Sequence, residues 1–390
     1  MKHLAPLSWI LLLSACATAR TVSPSPPAPT ARVEEPPPPA PTPAAAPAPD
    51  TTPITIAAVG DVMLGSTFPD ETGGRLPPND GAHLLAELAP VLRRADLAFA
   101  NLEGPLTEDG VSEKCARSKP GRCYAFRVPT RYGAHLEAAG FDLFSLANNH
   151  AMDFGEEGRA STIAVLDALG LAWSGPPGAV ARASVRGRTV AMIAFATNWG
   201  ANDLRDLETA RALVEPLAAE ADLVLVSFHG GAEGAAYQRV PVGPETFLGE
   251  DRGDLRTFAH AMIDAGADLV LGHGPHVVRG MEVYRERLVA YSLGNFATYG
   301  GFNLAGPNGL SLVLEATLAP DGRFLGGRIH PAKQDWPGGP KVDPTGAIVP
   351  LVRQLSIDDF GPAAVRVAED GALAPPAAAP PQAAADAPRG

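Results

Sequence analysis

The central stretch of the chain alternates short apolar runs with segments whose apolar residues recur at helical spacing. Ile54–Val59, Asp96–Ala100, Phe141–Leu146, Thr189–Ala196, Asp222–Ser227 and Asp268–Leu271 read as buried strands. Between them, 82–94 carries Leu84, Leu85, Leu88, Val91 and Leu92 at helical spacing. Residues 132–139, 156–169 and 207–218 read as further helices, and Leu255, Phe258, Ala259, Met262 and Ile263 mark another, closed by Gly266. The later part, 281–329, reads as shorter antiparallel strands at 281–284, 288–292, 310–316 and 323–329. Strands separated by helices imply βαβ units in an α/β fold, and the strand-rich end suggests a second sheet packed on the first. Sites in such sheets form beyond the carboxyl ends of the strands.

The two ends differ from this pattern. Lys2, an apolar run from Leu4 to Leu13 and the small residues before Cys16 describe a signal peptide over 1–15. The run is about half the ~20 residues that a spanning helix needs. Leu13-Ser14-Ala15-Cys16 fits a lipobox, which makes Cys16 the expected lipidation site and a membrane the expected partner. Residues 16–52 then read as a Pro/Ala-rich linker and 368–390 as a disordered tail, since neither has the apolar bulk to offset its ordering entropy. The folded domain is thus expected over 53–367. An exported protein, anchored to the cell envelope and facing the periplasm, is the resulting expectation.

Composition narrows the classes further. A net charge of −12 argues against a phosphate-tracking nucleic-acid binder. Apart from Cys16 there are only Cys115 and Cys123, expected to close a disulfide in an oxidising compartment.

The chemistry lies where the strands end. Successive strands run into Gly60-Asp61, Asn101-Leu102-Glu103, Asn148-Asn149-His150 with Asp153, His229-Gly230-Gly231 with Glu233, and Gly272-His273-Gly274-Pro275-His276. Each alone is an ordinary cap or turn residue. Together they place four of the chain's nine histidines on one expected rim, beside carboxylates and amides suited to Zn, Mn or Fe. One or two such divalent ions would polarise a phosphoryl group and lower the pKa of a bound water to about 7. His150 could then protonate a leaving oxygen.

Four motifs carry a resemblance: Ala57-Ala58-Val59-Gly60-Asp61-Val62-Met63-Leu64-Gly65, Ala100-Asn101-Leu102-Glu103-Gly104-Pro105-Leu106, Ser145-Leu146-Ala147-Asn148-Asn149-His150-Ala151-Met152-Asp153 and Ala290-Tyr291-Ser292-Leu293-Gly294-Asn295-Phe296. With the 272–276 turn, they resemble the CapA family of capsule and poly-gamma-glutamate biosynthesis, which is similar to the calcineurin-like metallophosphoesterases. The resemblance implies a metallophosphatase-like four-layer sandwich, two packed β-sheets flanked by helices. It makes Asp61, Glu103, Asn149, His229, His273 and His276 metal ligands, His150 and Asp153 catalytic, and Asn101, Asn148, Glu233 and Asn295 substrate-binding. Two departures stand out. Metallophosphatases open with Asp-x-His, where this chain has Asp61-Val62-Met63, and their Gly-His-x-His is here longer by one residue.

The implied function is a metal-dependent hydrolase of a phosphoester, less readily an amide, acting on an anionic envelope polymer or its precursor. The alternatives are a non-catalytic polymer-binding component of a capsule or polyglutamate synthesis and export complex, and a peptidoglycan-binding scaffold.

Overall fold

A computed structural model describes residues 50–69, 74–115 and 123–377. The expected signal peptide, Cys16, and the linker up to residue 49 lie outside the described residues. In chain order the first strands are β1 (Ile54–Met63), β2 (Leu97–Leu102), β3 (Leu143–Ser145), β4 (Ala172–Ser174), β5 (Val180–Val185), β6 (Arg188–Ala196), β7 (Asn202–Asp203), β8 (Leu223–His229), β9 (Glu245–Phe247) and β10 (Glu250–Gly253). Then come β11 (Leu269–His273), β12 (Met281–Tyr284), β13 (Arg287–Ala290), β14 (Asn295–Thr298), β15 (Leu310–Leu318), β16 (Phe324–Gln334), β17 (Pro340–Val342), β18 (Arg366–Val367) and β19 (Ala372–Ala374). The helices are α1 (Ala89–Leu92), α2 (Gly133–Ala139), α3 (Gly155–Ala168), α4 (Leu207–Glu220), α5 (Leu255–Asp264) and α6 (Ile348–Phe360).

Two sheets result. The first runs β18-β19-β16-β15-β1-β2-β3-β4, with β14 beside β1 and β17 beside β16. The second runs β12-β13-β11-β8-β6-β5, with β7 beside β6. The period-2 alternation of strand side chains assigns each residue to a layer. In β1, Ile54, Ile56 and Ala58 point into the core between the sheets, while Ala57 and Val59 face the layer of α1 to α3. In β8, Leu223 and Leu225 point inward, and Val224, Val226 and Phe228 meet α4 and α5. Helices, sheet, sheet and helices thus form four layers. Strands covered on both faces read as continuous apolar runs, which is why the sequence shows them so clearly.

Several expectations are corrected. The helix expected over 82–94 shrinks to the single turn α1, because Pro90 lacks an amide proton and is tolerated only at a helix start. The later strands are not uniformly antiparallel, since β13 pairs in parallel with β11 and β14 with β1. The tail does not leave the fold at 367: β19 pairs with β16 and β18, so the boundary lies beyond Ala374. Helix α6 and strands β4 and β5 carry no clean periodicity and add to the elements expected from the sequence. Among the described residues, no helix is long and apolar enough to cross a membrane.

Helices α4 and α5 begin alike, with Asp-Leu-x-Thr. Asp254 accepts from the Thr257 amide at 3.1 Å and hydroxyl at 2.8 Å, and Asp206 caps α4 through Thr209 in the same way. An unmet amide at the start of α5 is the cost of losing that cap. Asp254→Ala is therefore expected to lower stability by about 1 kcal/mol. A lower urea midpoint at unchanged m-value would show it, and Asp254→Ser should recover most of the loss.

Candidate metal centre

Asp61 owes its position to a break in register. Pairing of β1 with both β2 and β14 shifts at Asp61, as at a β-bulge that re-aims a side chain. The Asp61 amide donates to Gly294 O at 2.9 Å. This close approach requires glycine at position 60, where a Cβ would lie 1.9 Å from Gly294 O. Asn101, opposite Asp61 on β2, donates to Asp61 Oδ1 at 2.9 Å and lies 3.5 Å from His229 Nδ1. Asn148 in turn donates to Asn101 Oδ1 and Leu102 O. Glu103 follows directly, its amide donating to Val62 O at 2.8 Å.

The second sheet supplies the imidazoles. His229 and His273 are register partners at the carboxyl ends of the parallel strands β8 and β11. His273 Nδ1 lies 3.3 Å from Asp61 Oδ1 without hydrogen-bond alignment. The turn after β11 then brings His276 Nδ1 to 3.0 Å from Asp61 Oδ2 and its Nε2 to 3.8 Å from Glu103 Oε1. His276 adopts φ +56, the left-handed region that a side chain enters only when its surroundings over-determine it. Gly274 (φ +113) lets this turn cross the 230 turn, since a Cβ there would sit 2.5 Å from Gly230 O.

Asp61, Glu103 and His229 each offer a ligand atom, all within 4.8 Å of one another, and all three are fully buried. Both Glu103 carboxylate oxygens, His229 Nε2, both His273 ring nitrogens and Asn149 Oδ1 are buried without a hydrogen-bond partner. Buried polar atoms are normally satisfied, and the unpaired Glu103 and His229 atoms, converging with Asp61, fit a divalent cation of the borderline-hard class. Burial would raise the Asp61 carboxyl, but His273 and His276 hold it far below the usual carboxylate range. Burial and the Asp61 charge push Glu103 well up. Burial holds His229 neutral, the ligand form, with Asp61 opposing and Arg252 reinforcing. Burial opposes charge on His276, but Glu103 and Asp61 outweigh it and push the ring up to about 10.

Above this group lies a cavity of about 560 Å³ lined in part by Asn149, His150, Glu233, Arg252, His276 and Phe302. His150 sits at its wall against Phe126 (centroids 4.4 Å apart), with Nδ1 2.7 Å from Asp153 Oδ2. Asp153 is fixed by the Phe126 amide at 2.8 Å and by Lys114 Nζ at 2.6 Å. Lys114 also donates to Asn149 O at 2.7 Å, and it precedes Cys115, which is disulfide-bonded to Cys123 (Cα–Cα 5.5 Å). Burial holds the His150 ring below its usual value, with Asp153 opposing.

The sequence-predicted residues therefore gather at one place in different roles. Asn149, His150 and His276 line the cavity, while Asp61, Glu103, His229 and His273 lie buried behind it. Asp153 has no access to the cavity and orients His150 from behind. Asn101, Asn148 and Asn295, expected to touch substrate, do not line it: the first two bracket Asp61, and Asn295 donates to His276 O and Asn308 O, holding the turn. Glu233 faces the cavity but is ion-paired with Arg252 at 2.9 Å. Met63, where metallophosphatases have histidine, is fully buried in the apolar layer beneath. Lys114, in a loop, and Arg252, on the short strand β10, escape a sequence reading because an isolated cation carries no local signal. The lysine's adjacency to Cys115 is the only hint.

Residues 55–299 match the family described as "Bacterial capsule synthesis protein PGA_cap". The chain is 27% identical over 263 residues to the "Capsule biosynthesis protein CapA" of Bacillus anthracis, covering 62% of this chain and 59% of the relative. It is 29% identical over 261 residues to the "PGA biosynthesis protein CapA" of Bacillus subtilis, covering 62% and 63%. The match thus spans about three fifths of these relatives' lengths. Among solved structures, a 5'-nucleotidase precursor from Thermus thermophilus aligns at 15% identity and TM-score 0.37, over 72% of this chain and 54% of that one.

The partnerless Glu103 carboxylate supplies a two-sided test. A metal ion held at 100 times its Kd would stabilise the fold by about 2.7 kcal/mol. Glu103→Gln is expected to abolish that metal-dependent rise in Tm, and also to make the chelator-treated protein more stable than chelator-treated parent, because a strained buried acid is gone. Equal metal-induced shifts in parent and variant would remove Glu103 from the ligand set.

Proposed function

Because the chain belongs to the bacterial capsule synthesis protein PGA_cap family, we propose that it is a metal-dependent hydrolase that cleaves a phosphoester during assembly of capsule or poly-gamma-glutamate. The observation that carries the reading is the buried Asp61–Glu103–His229 group with partnerless Glu103 oxygens, set beneath a cavity walled by His150. Relatives named for capsule and PGA biosynthesis motivate the anionic polymer, its precursor and the synthesis machinery as partners.

In this reading Asp61, Glu103 and His229 hold one divalent ion, Mn, Zn or Fe, with His273, His276 and Asn149 completing that site or an adjoining one. Such an ion, when bound, supplies Lewis acidity toward a phosphoryl oxygen and acidifies bound water. The chain's own residues do the rest. Asp153 engages His150 Nδ1 and so leaves Nε2 as the ring nitrogen for the leaving oxygen. Lys114 neutralises Asp153 and ties it to the Asn149 backbone, which keeps the ring and the amide in register. Phe126 and Phe302 cover His150 and His276 and restrict water on that wall.

A second reading, a polymer-binding component without catalysis, is favoured by Met63, which leaves the pocket one histidine short of the metallophosphatase pattern. The two separate cleanly. The hydrolase reading expects metal-loaded protein to cleave bis(p-nitrophenyl) phosphate, and His150→Ala to lower kcat by about 10²- to 10⁴-fold with metal content unchanged. Cleavage absent at full metal occupancy, with polymer still bound, would establish the binding component instead.

The leader motif supports an exported protein anchored through Cys16 and facing the periplasm, with 16–52 as the tether. Cys16→Ser is expected to move the protein from the membrane fraction to the soluble envelope fraction. Unchanged fractionation would rule out the lipid anchor.

A further inference from the structure

The wall of the cavity that carries His150 is braced from two directions. Asp153, whose side chain is fully buried, presents one oxygen to each of two arms. Lys114 Nζ lies 2.6 Å from Oδ1, and the Phe126 amide donates to Oδ2 at 2.8 Å. Oδ2 is also the oxygen that lies 2.7 Å from His150 Nδ1. Both arms touch His150 itself. Lys114 Nζ is 3.2 Å from Nδ1, and the Phe126 ring packs on the imidazole with centroids 4.4 Å apart.

Neither arm belongs to a regular element, since residues 107–115 and 123–127 lie in no strand or helix. What joins them is covalent. Lys114 stands immediately before Cys115, Phe126 stands three residues after Cys123, and the disulfide holds the two cysteines at a Cα separation of 5.5 Å. The bond therefore sets the spacing of the arms across Asp153. A lysine side chain gives up rotamer freedom to keep one ion-pair geometry, and an untethered backbone would add to that cost. Cross-linking the neighbouring residue removes part of it beforehand. Lys114 and Cys123 both line the cavity, so the cross-link is part of its wall.

We infer that the Cys115–Cys123 disulfide is a positioning clamp for His150: it fixes Lys114 and Phe126 on the two oxygens of Asp153, and through Asp153 it fixes the imidazole at the cavity wall. The inference rests on the reading above in which His150 serves the leaving oxygen. It adds a covalent bond to the parts on which turnover depends.

Two readouts on the full chain test it. In the Mn²⁺-loaded protein, Cys115→Ser combined with Cys123→Ser is expected to lower kcat for bis(p-nitrophenyl) phosphate by about ten- to a hundred-fold at nearly constant KM and metal content, as loss of an orienting partner does. Lys114→Met should act alike, and Lys114→Arg should recover most of the loss. Because both changes release the same ring, the triple variant should lose less than the product of the separate losses. The second readout needs no turnover. With ring-labelled histidine, and His150→Gln to identify the signal, the His150 resonances at one fixed pH are expected to move in the double-serine and Lys114→Met proteins. Those of His260 and His330, outside the cavity, should stay in place and report an intact fold. If the parent cleaves nothing, the hydrolase reading fails and the resonances still decide the clamp. Parental kcat or parental His150 resonances in the folded double-serine variant, or losses that simply multiply in the triple variant, would each overturn it.

Discussion

Two carboxylates, Asp61 and Glu103, lie fully buried at the ends of adjacent parallel strands, and the surrounding structure answers that concentration of negative charge. In a low-dielectric interior two such groups cannot both stay ionised without opposite charge close by. Three imidazoles from the other sheet approach them, and the two carboxylates push one, His276, upward against its burial. The two sheets therefore need each other electrically as well as through their shared apolar core. Remove either, and the other is left with charge or donor atoms that have no partner.

The construction around this pair is backbone-driven. A register break aims Asp61, glycines at 60 and 274 let turns cross within van der Waals contact, and Asn101, Asn148 and Asn295 spend their hydrogen bonds on holding neighbours. These three asparagines, which look like substrate contacts in the sequence, thus stand behind the cavity, whereas Glu233 faces it. Two further residues that reach the cavity, Lys114 and Arg252, come from a loop and a hairpin outside the main strand ends. This division is physically sensible. Asn148 and Asn295 satisfy fixed backbone groups and Asn101 the Asp61 carboxylate, while long cationic side chains can span from the rim to the pocket.

Much of this was legible without coordinates. Strands buried on both faces write continuous apolar runs, so β1, β2, β6, β8 and β11 could be read directly, and their polar ends marked the rim. Helix α5 was equally plain from its 3.6-residue stripe. Elements that lack a clean period escaped: α6 begins within one turn of Pro350, β19 lies in Pro/Ala-rich chain, and the 82–94 stripe yields to Pro90.

By itself the sequence determined which residues could gather, because strand ends in an α/β sheet share one edge whatever the loops do. It also determined their chemistry, since histidine, carboxylate and amide are fixed by the chain. Tertiary structure alone decided which of them face the cavity and which stand behind it. That depends on a one-residue bulge at Asp61 and on side chains separated by a hundred or more positions, such as Asn101 and His229 or Asp61 and His276. Contacts of that range leave no local period, so only the packed chain reveals them.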